Sequence, residues 1–238
     1  MNRIEQTSNY ACVLTNQLYF GNAKPARNEN VLKELNIKSI VDLINYEDES
    51  KRIMHSSYFN VFHLSVQDIP TNTISWCEEA SKFIENELNK NNLVYVHCSQ
   101  GISRSTTLIL HYLLTRKQMR LKEAFITLKQ LRHVIAPSAG FIEGLIELEK
   151  QLYGEISITK KEYAVICLKE VFPKVEVGNI DKEYDLCLEK VNNNKEFWEI
   201  ERVEKNIEPI GYLCFNELEK KYENALQRFG CSKHHPFD

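Results

Sequence analysis

Apolar residues along the chain follow two alternating rhythms. Lys38–Ile44 (KSIVDLI) and Asn60–Val66 (NVFHLSV) are β-rich runs bounded by polar loops. Leu18–Gly21 reads as a shorter strand closed by glycine. Leu93–His97 (LVYVH) is a continuous apolar run, the pattern of a strand covered on both faces. Helical spacing appears between and after these runs. Asn28–Asn36 places Leu32 and Leu35 on one face behind a candidate N-cap at Asn28, and Thr73–Asn91 repeats Ile74, Cys77, Phe83, Ile84 and Leu88. Further helical stretches cover Ser103–Arg116, Leu121–Arg132 and Ala139–Leu152. Strands alternating with helices predict an α/β fold with a central, mostly parallel sheet flanked by helices.

Near Tyr153-Gly154 the character changes. Residues 1–154 carry 17 Lys+Arg and 16 Asp+Glu, whereas residues 155–238 carry 13 and 17, so the balance turns acidic. The later stretch predicts helices over Lys160–Phe172 and Asn216–Phe229 and β-rich runs over Trp198–Val203 and Ile210–Phe215. The expectation is a catalytic domain over 1–154 and a small mixed α/β domain over 155–238.

Composition narrows the class. With 43% hydrophobic and 26% charged residues the chain is ordinary globular material, which excludes global disorder. Its 30 basic and 33 acidic residues give a net charge of -3, so no footprint for nucleic acid is expected. No apolar run approaches the roughly 20 residues that span a bilayer. The stretch Met1–Tyr10 is too polar for a signal peptide, the start is not Met-Gly, and Pro236-Phe237-Asp238 is no prenylation signal. Seven scattered cysteines predict reduced thiols in the cytoplasm or nucleus. Cys187, Cys214, Cys231, His234 and His235 invite a zinc reading, but without any Cys-x-x-Cys pair they read as structural residues, and no metal or cofactor is expected.

The segment His97-Cys98-Ser99-Gln100-Gly101-Ile102-Ser103-Arg104-Ser105 lies between the buried strand and an apolar helix. A loop so placed can aim backbone N–H groups and a helix N-terminus at one anion. Gly101 permits the turn, and Arg104 offers a planar pair of donors to phosphate oxygens. The same positive field favours a thiolate at Cys98, a nucleophile aligned on phosphorus. Ser105 can donate its hydroxyl hydrogen to that sulfur. The amides from Ser99 through Gln100, Gly101, Ile102 and Ser103 to Arg104 form the phosphate cradle. Gln100 is either a surface residue of the cradle or a substrate contact. His97 is expected to hydrogen-bond the loop backbone and tune the thiol.

With these residues the chain resembles the cysteine-dependent protein tyrosine phosphatase superfamily, and within it the dual-specificity phosphatases. Leu18–Gly21, Ile40-Val-Asp-Leu43, Tyr112-Leu113-Leu114 and Arg132 with Ile135-Ala-Pro137 and Gly140-Phe141 extend the resemblance over about Leu14–Leu152. It departs at Ser138, where the family commonly has the Asn that tethers the loop, and at Gly144, where it has Gln. The resemblance places the general acid at Asp68, 30 residues before Cys98 in the loop after a strand. Asp48 is the rival to test, and Asp42, inside a strand, is the poorest one.

The implied activity is hydrolysis of phosphotyrosine and phosphoserine/threonine in proteins through a phosphocysteine, without a metal. The short lead before Leu18 resembles the small, atypical members. A phosphoinositide phosphatase would be expected to carry Lys in the loop, and an RNA 5′-phosphatase a basic stripe; the sequence shows neither. A catalytically silent phosphate-binding module is the reading from another class. The C-terminal domain is left as a docking or regulatory module.

Overall fold

In a computed structural model the residues described are 9–14, 16–46, 50, 52–69 and 72–171. The chain divides into two units, residues 1–160 and 161–238. The first unit is built on a five-stranded sheet: β1 (Tyr10–Leu14), β2 (Leu18–Gly21), β3 (Ile37–Ile44), β4 (Asn60–Val66) and β5 (Leu93–His97). Their spatial order is β1-β2-β5-β3-β4. All neighbours are parallel except β1, which returns antiparallel to β2 at the edge. The continuous apolar run of β5 is thus the middle strand, as its pattern requires.

Register brings the strand ends level. Gly21 of β2 and Asp42 of β3 both pair with His97, and Asp42 also pairs with His63 of β4. The loops leaving these parallel strands therefore gather along one edge of the sheet, where such folds bind ligands.

On one face of the sheet lie two short helices, α1 (Ala23–Ala26) and α2 (Glu29–Glu34). Leu32, Ile37, Ile40, Tyr19 and Tyr95 form a cluster there with Ala26 and Phe59. Asn28 caps α2 as expected, its side chain accepting from the Asn30 amide at 3.1 Å. The α1 turn was not predicted because it contains Pro25. In a first turn the missing N–H costs no helical bond, and the Asn22 side chain caps the turn by accepting from the Lys24 amide.

The other face carries α3 (Cys77–Asn89), α4 (Arg104–Lys117), α5 (Leu121–Leu131) and α6 (Ala139–Tyr153). Helix α4 is buried continuously from Ser105 to Leu114 because it packs on the sheet and on α3, α5 and α6. Each fully buried Leu or Ile there contributes about 1.5–3 kcal/mol. The helix expected from Thr73 begins only at Cys77. The preceding residues are held against α6 instead: Trp76 meets the Phe141 ring edge-on, and Ile74 sits over Gly144. A Cβ at Gly144 would lie 3.0 Å from Ile74, which gives that departure from the family pattern a packing reason.

Of the second unit only residues 161–171 are described; they belong to α7 (Lys160–Val171), close to the predicted Lys160–Phe172. The predicted elements at 198–203, 210–215 and 216–229, and Cys187, Cys214, Cys231, His234 and His235, lie outside the described residues, as does Asp48. None of the described helices is long and apolar enough to cross a membrane.

Candidate active site

Strand β5 delivers Cys98 to the level edge of the sheet, and α4 starts six residues later at Arg104. Cys98 is 1% exposed. Its sulfur accepts from the Gly101 amide at 3.3 Å and lies 3.5 Å from Ser105 Oγ. Ser105 Oγ in turn reaches the Gly21 carbonyl at 3.4 Å, so the hydroxyl sits between the thiol and β2. Gly101 has φ +70°, and a Cβ there would stand 2.3 Å from the Gly21 carbonyl carbon. No other residue fits that close approach of two backbones.

The loop carbonyls are tied from outside, one after another. Ser99 O accepts from the Ala23 amide at 3.1 Å, Gln100 O from Arg132 Nη2 at 3.0 Å, and Gly101 O from Arg132 Nε at 3.1 Å. Ile102 O accepts from the Ala136 amide at 3.1 Å, while Ser103 O receives both the Thr107 amide and Thr107 Oγ1, at 2.8 and 2.9 Å. A trans peptide points its N–H opposite its C=O, so outward carbonyls leave the next amides facing inward. The Gly101 N–H aimed at Cys98 Sγ is one such amide.

Arg104 spans the neighbouring strand ends. Its Nη1 donates to the carbonyls of Leu43 and Val66 at 3.3 and 3.1 Å, and Nη2 donates to Ser99 Oγ at 3.3 Å. Its Nε makes no hydrogen bond and lies 3.4 Å from Asp68 Oδ2. Asp68 follows β4 and its side chain is 29% exposed; its Oδ1 accepts from Ser103 Oγ at 2.8 Å. Ser103 Oγ accepts in turn from the Ser138 amide at 3.1 Å. The main-chain amide of Ser138 therefore reaches the loop at the position of the family's tethering Asn.

Behind the loop, one row crosses three strands on one face: His63, Asp42 and His97. Asp42 is 1% exposed and accepts from the Ile44 amide and the Tyr46 hydroxyl, both at 3.0 Å. Its oxygens lie 3.4 Å from His63 Nδ1 and 3.8 Å from His97 Nε2. Burial pulls His97 down to about 4, although Asp42 and the Cys98 backbone favour its charged form. The ring lies against the Cys98 backbone, whose polar group favours its charged form, while Nε2 faces Asp42.

The structure thus brings together Cys98, Ser99, Gly101, Ser103, Arg104, Ser105 and Asp68. Gln100 lies exposed on the outer turn, and Ile102 is half-buried. Nothing in the sequence assigns a role to Arg132 or Ala136, and Asp42, the poorest rival for the general acid, stands on β3 beside His97. The signal that pointed to Asp42 was a carboxylate on an apolar strand, since a buried charge needs partners. Among the described residues Cys12, Cys77, Cys98 and Cys167 are thiols, and Cys12 Sγ turns to its own strand at Leu14 O.

Residues 18–151 match the family model described as the dual specificity phosphatase catalytic domain. Dual specificity protein phosphatase 1 of Arabidopsis thaliana is 33% identical over 151 residues, covering 63% of this chain and 74% of that protein. Dual specificity protein phosphatase 1-A of Xenopus laevis is 34% identical over 136 residues, 57% of this chain but only 36% of that protein. The chain therefore spans about a third of the length of the Xenopus relative. A human tyrosine phosphatase-like serine/threonine/tyrosine-interacting protein shares the fold with a TM-score of 0.56 and 27% identity, covering 61% of this chain and 98% of that one. A mouse putative dual specificity phosphatase gives the same TM-score of 0.56 at 22% identity, covering 65% and 94%.

Proposed function

Because the chain belongs to the dual specificity phosphatase family, we propose that it is a protein phosphatase that hydrolyses phosphotyrosine and phosphoserine/threonine through a phosphocysteine. The observation that carries this reading is the inward amide cradle around Cys98 Sγ, with Arg104 on its rim and Asp68 fixed beside it by Ser103. In the first step the Cys98 thiolate attacks phosphorus and the P–O bond to the substrate breaks. Asp68 gives its proton to the departing oxygen, without which that oxygen leaves poorly. Arg104 and the amides of Ser99, Gln100, Gly101, Ile102, Ser103 and Arg104 hold the three equatorial oxygens in fixed dipoles. In the second step water attacks phosphorus, Asp68 takes its proton, and the sulfur leaves as thiolate with a hydrogen bond from Ser105. His97 supports the loop from behind.

Phosphorylated proteins are the substrates under this reading, in a reducing cytoplasmic or nuclear setting suited to a working thiol. The boundary at 154, with residues 155–238 as a docking or regulatory module, belongs to the same proposal. The test is phosphate release by the full chain under reductant, with C98S as the blank. The panel holds a phosphotyrosine peptide, a phosphothreonine peptide, a phosphoinositide and a 5′-triphosphorylated RNA. Cys98-dependent turnover of both peptides is the expected result. Turnover of lipid or RNA alone replaces the substrate, and no turnover of any member replaces the enzyme with a binding module.

A further inference from the structure

Arg132 is 6% exposed at the end of α5, where the backbone leaves the helix and turns toward the loop. Two of its nitrogens, held in one plane, meet two successive carbonyls of the cradle, Gly101 O at 3.1 Å and Gln100 O at 3.0 Å. Each of those carbonyls shares a peptide plane with the next amide, so the guanidinium fixes the directions of the Gly101 and Ile102 N–H groups. The Gly101 N–H points at Cys98 Sγ, the direction a phosphate cradle requires.

We propose that Arg132 is a positioning residue for phosphoryl transfer. Its buried guanidinium locks the two middle peptide planes of the loop, so that their amides meet the phosphoryl oxygens without reorganisation. The proposal rests on the reading that the Cys98 loop binds phosphate. Three features carry it further than a packing role. The contact is bidentate on consecutive carbonyls, which couples both planes to one rigid group. The neighbouring planes are held by main-chain amides of Ala23 and Ala136, so Arg132 is the side chain that completes the outer ring at its centre. Burial opposes the charge on Arg132, while Tyr95 and Cys98 favour it, so the cation is held where desolvation makes it costly. Lysine carries one compact donor on a flexible stem and cannot span both carbonyls in a fixed plane.

The experiment uses the full chain with R132K and R132M, each also in the C98S background. Inorganic tungstate is the phosphoryl probe, titrated by calorimetry into the C98S proteins. Alongside it, kcat and KM are measured for an aryl phosphate on the Cys98 proteins, with the thermal midpoint of each variant. R132K is expected to bind tungstate roughly tenfold more weakly, the scale of losing a hydrogen bond to a charged group. Its kcat is expected to fall about 100-fold, the scale of losing one aligned oxyanion donor, with a smaller change in KM. R132M is expected to lose at least as much. A structural role alone lowers the thermal midpoint and leaves the folded fraction with wild-type tungstate affinity and kcat, and that result overturns the proposal. Should R132K not fold, R132Q carries the same test, since it keeps a donor for one carbonyl. If C98S itself binds no tungstate, the phosphate-site reading falls and this proposal with it. If C98S binds tungstate and the R132K double variant binds it equally well, only the role of Arg132 falls.

Discussion

Ser103 Oγ donates a 2.8 Å hydrogen bond to Asp68 Oδ1 while accepting one from the Ser138 amide at 3.1 Å. One hydroxyl of the cradle thereby links the start of α6 to the carboxyl group proposed as general acid. The bond joins residues 35 apart in sequence, so the loop holds a carboxyl that stands just past the end of β4.

S103A should therefore act through the leaving group. A nitrophenolate departs without much help, whereas the alkoxide of phosphothreonine needs its proton. Turnover of p-nitrophenyl phosphate should change little, and turnover of a phosphothreonine peptide should fall roughly tenfold, the worth of one hydrogen bond to a charged group. Steady-state kinetics on both substrates decides it. An equal loss on the two would mean that Ser103 supports only the cradle.

Much of this site is legible in the chain because Cys98, Gly101 and Arg104 lie on one loop, and a loop keeps its chemistry in contiguous spacing. The strands were legible for a similar reason. Burial on both faces of β5 writes an unbroken apolar run, and the expected β4, with bounds Asn60–Val66, is the observed one. Arg132 escaped because its partners are backbone carbonyls, which carry no residue identity. The strand-end carbonyls of Leu43 and Val66 that seat Arg104 escaped in the same way. Asp68 needed the resemblance, because nothing local distinguishes it from a turn-forming aspartate. Edge strand β1 went unread: its five residues, YACVL, are all apolar and show no alternation.

Gly101 tolerates no side chain on two counts. Its φ of +70° costs an L-residue about 1–2 kcal/mol, and a Cβ would overlap the Gly21 carbonyl carbon at 2.3 Å. That second atom is backbone of β2 and cannot swing aside. G101A should push the loop off β2, lose Cys98-dependent turnover by at least 100-fold, and lower the thermal midpoint. Wild-type turnover by G101A would show that the loop and β2 do not approach so closely in solution.

Glu149 on α6 is fully buried and works as a clamp for two other segments. It accepts from Arg120 Nε at 2.9 Å and the Leu121 amide at 2.8 Å, and from the Ser157 amide and hydroxyl, both at 2.7 Å. Burial alone would raise its pKa, but these donors hold it below the ordinary carboxylate range. E149A strands the first amide of α5 in the interior and frees the half-buried Ser157 amide. A loss of about 2 kcal/mol follows, the cost of leaving a buried amide donor without its acceptor. Urea unfolding of wild type and E149A measures it, and a difference under about 1 kcal/mol would mean that water takes over these groups.

Stability should fall as pH drops from neutrality, because the fold buries imidazoles in their neutral form. His97 is drawn down to about 4 by burial against the opposing pull of Asp42, and His111, beside Ser81, is drawn to about 4 by burial against Glu78. The unfolded chain takes up these protons near the ordinary value of 6.5, while the folded chain resists until about 4. Between those values the unfolded state binds more protons, so stability is complete above pH 6.5 and declines as pH falls toward 4. Full protonation of each ring costs on the order of 3 kcal/mol. His55, also pulled down by burial, adds with the same sign. Glu29 and Glu87, held near 2 in the fold, extend the decline only below the ordinary glutamate value. Denaturant unfolding at steps from pH 7 to 4.5 should give a falling free energy, and H111Q should make that fall shallower by up to one proton. A free energy that stays level over this range, or an H111Q slope equal to wild type, would show that His111 is hydrated and titrates freely in the folded protein.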